Sequence, residues 1–256
     1  MDITKLLDLN MTGKFGYLSS LMEMDVTFCG DVSIINSGIS SDMFNVICEI
    51  RDRKTLDSAI KKFRDLKMPF ACWVGFDDDY QQCKQDLEKI GFECNEHESA
   101  MFIEIEKLSR DKKCEELQIS LVDNEQKLTD FINVYQKLIP HDSDQINEFY
   151  SRAADHILNP KSSLKLFVGY FHDQPAATSA LFMDENSAGV WDITTIPKFR
   201  RRGIGTDMMS HALSYAFDNF EHRIGVLTAS EEGKPVYQKI GFQKLKDFYV
   251  FNIGAL

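Results

Sequence analysis

Apolar and polar positions follow the same order of predicted elements twice along the chain. In the first copy, an apolar run at 44–50 predicts a strand, helical spacing at 55–66 predicts a helix, and an apolar run at 69–75 predicts another strand. A polar helical stretch then ends in LEKIGF at 87–92, and alternation continues to residue 105. Strands that alternate with helices are typical of an α/β unit.

The second copy repeats this order near the end of the chain. A strand is predicted at 190–196, a helix at 205–217 and a strand at 223–229. A further helical stretch ends in YQKIGF at 237–242, and an alternating segment follows it. Two copies of one element order predict a duplicated fold.

The second copy carries additional elements at its front. They are a strand at 117–122, helices at 124–138 and 143–158, and strands at 163–171 and 175–183. Pro140 separates the two helices, and the turn HDQP joins the last two strands. The charged segment at 106–117 is typical of a linker. We therefore predict an α/β chain with domains at 1–105 and 118–256.

Composition narrows the classes of partner and the location. The 256 residues carry a net charge of −11. This charge disfavours a nucleic-acid partner, because a phosphate backbone binds a basic face, and it favours cationic small molecules or amine-bearing peptides. No apolar run reaches about eighteen residues, so we predict no membrane span. The chain start lacks the pattern of a secretory signal, and the default expectation is a cytoplasmic location. The six cysteines form no CxxC pair, and we predict no metal site.

The segment PKFRRRGIGTDMM at 197–209 carries the clearest chemical signal. Pro197 ends a strand, so RRRGIG lies at a strand-to-helix turn, where the first N–H groups of the helix have no partners. Gly203 and Gly205 lack a Cβ and let a ligand approach the backbone closely. Three arginines add positive charge. The pattern predicts an anion cradle, although it is neither a P-loop nor the dinucleotide fingerprint.

Together with the downstream YQKIGF, this segment resembles the GNAT N-acetyltransferase superfamily over residues 117–253. The matching positions are Arg200, Gly203 and Gly205 in the (Q/R)xxGx(G/A) motif, and Tyr237, Gly241 and Phe242 in the second motif. The resemblance implies two GNAT-like domains. Each would have a mixed, mostly antiparallel sheet with a splayed central pair of parallel strands, flanked by helices.

The resemblance also implies a cofactor and its binding residues. Acetyl-CoA would be the acyl donor, with its pantetheine arm on the main chain of Thr195 and Ile196 and its diphosphate on the amides of 201–206. Ser230 stands where many members carry an asparagine. The implied cofactor-binding residues are Thr195, Ile196, Arg200, Arg201, Arg202, Gly203, Ile204, Gly205, Thr206 and Ser230.

The implied chemistry is direct attack of a primary amine on the acetyl group. Tyr237 would protonate the departing thiolate, and a backbone N–H on the splayed strand would meet the oxyanion. Asp192 is the candidate general base, with Glu185 as the alternative, and either would act through water. The acceptor is an amine on a small molecule or a peptide.

The first copy departs from this motif. Its turn, RDRKTLD at 51–57, contains Asp52 and Asp57 and no glycine, and Leu87 replaces the tyrosine. We therefore expect a catalytically silent copy that covers the active domain or helps to form the acceptor pocket. The acidic run at 77–79 either attracts a cationic acceptor or begins a helix.

Two other functions remain open. The chain could bind acyl-CoA without turnover, as a sensor or partner-binding module. It could also be a tRNA-dependent aminoacyltransferase of the tandem GNAT type, although its net charge weighs against a basic channel.

Overall fold

The computed structural model describes residues 2–28, 32–50, 53–75 and 80–253, which form eight α-helices and one sheet of eleven strands. The helices are α1 (Ile3–Leu21), α2 (Arg53–Asp65), α3 (Tyr80–Lys89), α4 (Glu125–Gln136), α5 (Ser143–Arg152), α6 (Ala154–Ile157), α7 (Ile204–Phe220) and α8 (Lys234–Ile240). The strands are β1 (Asp25–Phe28), β2 (Ser33–Asn36), β3 (Asn45–Cys48), β4 (Ala71–Val74), β5 (Glu93–Glu104), β6 (Leu117–Leu121), β7 (Leu164–Phe171), β8 (Gln174–Met183), β9 (Ala188–Thr195), β10 (Ile224–Ser230) and β11 (Gln243–Asn252).

The two halves of the chain share one mixed sheet, and each half inserts a strand into the other. The strand order is β1-β2-β3-β4-β11-β5-β10-β9-β8-β7-β6. Strand β5 of the first half lies between β10 and β11, and Glu98 on it pairs with Ser230 on one side and Phe248 on the other. Strand β11 in turn pairs with β4. The mixed α/β fold is confirmed, while the exchange of strands was not predicted.

Strands β9 and β10 form the splayed parallel pair. They pair only at Gly225 with Ala188 and at Val226 with Gly189, which lie at the beginning of each strand. Beyond these residues, β9 remains bonded to β8 and β10 to β5. A gap therefore opens in the sheet at the carboxyl ends of β9 and β10, where α7 begins. A gap of this kind leaves main-chain polar groups free for a ligand.

The predicted elements and the observed ones differ in two places. The helix predicted at 143–158 is interrupted at Ala153, so that α5 and α6 are separate. No element was predicted before residue 44, yet α1, β1 and β2 lie there. The buried face of α1 includes Asp8, Asn10 and Thr12, so a search for an apolar stripe does not find it.

Helix α1 is joined to the second half of the sheet through Asn10, which is fully buried. Its amide donates to the carbonyl of Phe182 at 3.2 Å, to Asp184 at 3.2 Å and to Ser187 at 3.1 Å. Its carbonyl oxygen accepts the Trp191 indole N–H at 3.1 Å. One side chain thus binds four groups of the other half, and α1 is fixed against β8 and β9.

We expect Asn10→Ala to lower the free energy of unfolding by about 3 kcal/mol, because several buried polar groups lose their partner at once. Urea denaturation measures this loss. Asn147, an exposed position of α5, is the matched control, and Asn147→Ala should change stability by less than about 0.5 kcal/mol. Equal stability of the two variants would show that Asn10 does not join the halves.

In the residues that the structure describes, no helix has both the length and the apolar character needed to cross a bilayer. Within the same ranges, no group of three or more metal-ligating side chains is placed to hold an ion.

Candidate active site

The amino end of α7 presents a row of unpaired main-chain donors. Within the described parts of the chain, the amides of residues 201–206 have no hydrogen-bond acceptor, and the first paired amide is that of Asp207, which donates to Gly203 at 3.0 Å. Gly203 has a left-handed φ of 81° and turns the chain into the helix. Successive free amides at a helix amino end, which carries partial positive charge, can bind an anion.

The two glycines of this turn serve different purposes. A Cβ on Gly203 would lie 2.5 Å from the Cβ of Lys113, so the chain's own packing excludes a side chain there. A Cβ on Gly205 would meet nothing closer than the Thr195 hydroxyl at 3.7 Å, an ordinary contact. The protein itself has room for a side chain at Gly205, which lies within the segment whose amides are free.

The remaining side chains of the motif mostly support the turn. The Arg200 guanidinium donates to the carbonyl of Thr195 at 3.1 Å, and that of Arg202 lies 5.2 Å from the ring centre of Phe171. Arg201 is exposed and has a φ of 65°. Two further motif residues, Ile204 and Thr206, lie in the first turn of α7; Ile204 is buried in the core and Thr206 is half-buried.

At the edge of the gap, Thr195 and Ile196 differ in whether their main-chain groups are available to a ligand. The N–H of Ile196 donates to Ala176 at 2.9 Å, and its carbonyl accepts from Phe199 at 2.9 Å, so both of its main-chain groups are already paired. Because successive residues of a strand direct their main-chain groups to opposite sides, the N–H of Thr195 points into the gap. Thr195 therefore offers the free donor of the two.

The gap leads into a cavity of about 720 Å³ between the two halves of the chain. In the first half, its walls come from α1, β4 and β5. In the second half, they come from α4, α5, β9, β10 and α8. Tyr237 and Asp192 both line it. Residues of both halves of the chain therefore line this cavity.

Asp192 is held by three donors. Its carboxylate accepts from Lys14 at 3.1 Å, from the Tyr135 hydroxyl at 3.1 Å and from the Tyr150 hydroxyl at 3.4 Å. Burial and the Asp192 charge raise the pKa of both tyrosines well above its usual range. Asp192 also has a left-handed φ of 52° in the bulge of β9. With three donors on its carboxylate, the geometry of Asp192 fits a structural anchor.

Tyr237 lies half-buried on α8, with its ring edge-on to Phe242 at 5.9 Å between centroids. Burial, with a contribution from the charge of Glu98, raises the pKa of the Tyr237 hydroxyl to about 12. The hydroxyl therefore keeps its proton at neutral pH and can donate it. Leu87, its counterpart in the first half, is fully buried in that half's core.

Glu98 is a cavity residue that the sequence analysis missed. It lies on β5, half-buried, and accepts a hydrogen bond from the Thr228 hydroxyl. Burial first, and then repulsion from Glu96, raise the pKa of Glu98 to about 7. A carboxyl group that titrates near neutrality is suited to general base catalysis. Only the pairing of β5 with β10 brings Glu98 close to Tyr237, and no local motif announces that pairing.

The remaining candidate residues differ in their positions relative to the cavity. The Ser230 hydroxyl lines the cavity but accepts the N–H of Gly233 at 3.3 Å at the start of α8. Glu185 is exposed in the turn before β9, at the opposite end of the strand from the gap. Asp57 is exposed on α2. The predictions for Asp52 and for the run at 77–79 fall outside the described residues.

One family model matches a part of the chain. The model of the acetyltransferase (GNAT) family matches residues 128–242. This part of the chain is therefore a GNAT acetyltransferase domain, and the resemblance predicted from its motifs is confirmed. A domain of this kind supports acyltransferase activity in general. No curated protein sequence is significantly similar to the chain.

Solved structures with low sequence identity share the fold over the whole chain. A conserved protein of unknown function from Staphylococcus epidermidis is 15% identical, with a TM-score of 0.70 over 89% of this chain and 92% of its own. A GCN5-related N-acetyltransferase from Kribbella flavida is 11% identical, with a TM-score of 0.66 over 93% and 96%. A tandem GNAT protein from the clavulanic acid biosynthesis pathway is 9% identical, with a TM-score of 0.60 over 98% and 94%. At these identities the likeness shows the fold alone.

Proposed function

We propose that the protein is an N-acetyltransferase that transfers the acetyl group of acetyl-CoA to a primary amine of a small molecule or peptide. The observation that carries this proposal is the row of free amides at 201–206, placed where the sheet opens between β9 and β10. A diphosphate fits such a row because each oxygen can accept from several N–H groups in the positive field of the helix.

The chain's residues would hold acetyl-CoA from the helix end to the cavity. The amides of 201–206 would bind the diphosphate, with Arg201 as an exposed cation of the turn. The pantetheine arm would lie along the gap as an added strand, with the N–H of Thr195 as one donor. The acetyl group would then enter the cavity beside Tyr237.

The transfer needs one proton acceptor and one proton donor. Glu98 would remove a proton from the acceptor ammonium, and the freed nitrogen would attack the acetyl carbonyl carbon. A main-chain N–H at the gap would stabilise the oxyanion. As the C–S bond breaks, Tyr237 would give its proton to the departing thiolate and would regain one from the attacking nitrogen, which must lose a second proton to become an amide. The products are the amide, CoA and the one proton that Glu98 releases to solvent.

We further propose that the chain consists of two GNAT-like units with different roles, at 1–105 and 118–256, joined by the linker at 106–117. The first unit lacks the glycine turn and carries Leu87 in place of the tyrosine. It contributes β5 and a wall of the cavity instead. The cytoplasmic location remains a prediction.

Replacement of Tyr237 by phenylalanine separates an enzyme from a binding module. We expect the kcat of Tyr237→Phe to fall about 10- to 100-fold, because the thiolate loses its proton donor, while the Kd for acetyl-CoA stays within about twofold. Thiol release measures the first quantity and titration calorimetry the second.

Tyr215→Phe is the matched control for this experiment, because Tyr215 lies half-buried on α7 and packs edge-on to Phe167 at 5.3 Å. It should leave both quantities unchanged. Binding of acetyl-CoA without thiol release from the wild type, over a broad set of amines, would favour an acyl-CoA-binding module.

A further inference from the structure

The carboxylates that line the cavity fall into two groups. Five are present, and two of them are paired: Asp192 with Lys14 at 3.1 Å, and Asp142 with His141 at 3.2 Å. The other three are Asp42, Glu96 and Glu98, none of which has an ion-pair partner in the part of the chain that the structure describes. Asp42 and Glu98 are half-buried and Glu96 is exposed. A half-buried carboxylate without a cation is costly to keep ionised.

These three carboxylates form a row that leads away from the reacting end. Glu96 and Glu98 are alternate residues of β5 on the same face of the sheet, so they lie about 7 Å apart along the strand. Asp42 comes next, because its carboxylate accepts from the amide of Asn252, which pairs with Glu93 on β5, beyond Glu96. The cavity thus has one carboxylate beside Tyr237 and two more at a distance from it.

Aromatic rings line the walls near this row, in two separate pairs. Phe44 stacks on Phe149 with ring centroids 4.1 Å apart, and Phe15 lies 5.1 Å from Trp73. All four rings line the cavity. Aromatic faces accept both alkyl chains and ammonium groups. Such walls suit an apolar spacer with a cation at each end.

We propose that the acceptor is a small dicationic amine, with one nitrogen at Glu98 for reaction and a second cation held by Glu96 and Asp42. This rests on the proposed acetyl transfer. A spacer of about four methylenes matches the distance between alternate strand residues. Two cations offset two of the three negative charges of the row, whereas an acceptor with a carboxylate at its far end would face like charges.

Paired substrates test the second cation: butane-1,4-diamine, and butylamine, which has the same spacer and no second charge. With saturating acetyl-CoA at pH 8, we expect the diamine to have a KM at least about tenfold lower than butylamine has. Glu96→Gln should raise the KM for the diamine about tenfold and leave that for butylamine within about twofold. Glu93→Gln, at an exposed position of the same strand, is the control and should change neither.

Calorimetric titration of the diamine into the wild type and into Glu96→Gln gives a readout that does not depend on turnover. Weaker binding to the variant is the expected result. If both amines are acetylated with the same KM, or if Glu96→Gln leaves diamine binding unchanged, the dication proposal is overturned while acetyl transfer stands. If the diamine binds through Glu96 but no amine is acetylated, the cation site stands and the proposed function falls.

Discussion

Gly205→Val is expected to weaken acetyl-CoA binding by at least about 100-fold, because the larger side chain would keep the diphosphate from its charge-assisted hydrogen bonds with the amides of α7. The fold should persist. A Cβ at this position lies 3.7 Å from its nearest neighbour, and valine costs the helix no more than glycine does. Titration calorimetry gives the affinity, and urea denaturation gives the stability.

Gly203→Ala is the informative comparison. A side chain added at this position should lower the stability of the fold, whereas one added at Gly205 should lower the affinity for acetyl-CoA. A Cβ at Gly203 would lie 2.5 Å from Lys113, and the residue would have to keep a φ of 81°. We expect a loss of about 2 kcal/mol in the free energy of unfolding. Unchanged affinity in folded Gly205→Val would show that the diphosphate does not bind at this turn.

Glu98→Gln is expected to lower kcat about 100- to 1,000-fold, since the acceptor ammonium would lose the base that removes its proton. The pH profile provides a second test. Because the pKa of Glu98 is raised to about 7, the carboxylate is protonated below that pH and ionised above it. The kcat/KM of the wild type should therefore rise with pH up to about 7 and then level off, and the variant should lack this limb.

The exposed Glu93 on the same strand is again the control, and Glu93→Gln should keep the wild-type rate and profile. A full rate in Glu98→Gln would exclude Glu98 as the base. If Asp192→Asn, in a chain that remains folded, removed the limb instead, Asp192 would be the base, as its place in the sequence predicts.

The cofactor end of the site could be predicted from the sequence because the residues that form it are close together along the chain. The strand end at Pro197, the two glycines and the start of α7 are consecutive in the chain, so their chemistry can be predicted from one short segment. The gap between β9 and β10 followed from the resemblance to the family. In the structure, the two strands pair only at their beginnings.

The acceptor end of the site could not be predicted from the sequence, because the residues that form it are distant from one another along the chain. Glu98 reaches the site only through the insertion of β5 between β10 and β11, a pairing that depends on both halves. Lys14 is 178 residues from Asp192, and its helix was not predicted. The three donors that hold the Asp192 carboxylate cannot be predicted from the sequence. For this reason the sequence alone favours Asp192 as the base. Side chains that neutralise one another across a fold leave no periodic signal in either segment.

The most direct test of the account compares acetyl-CoA with S-acetylpantetheine by titration calorimetry on the wild-type protein. The two compounds share the thioester and the pantetheine arm, and only acetyl-CoA carries the diphosphate and the adenosine 3′-phosphate joined to it. We predict saturable heat with acetyl-CoA and an affinity at least about 100-fold lower for S-acetylpantetheine, as the loss of several charge-assisted hydrogen bonds requires. Equal affinities, or no heat with acetyl-CoA, would contradict the assignment of the free amides at 201–206 as the diphosphate site.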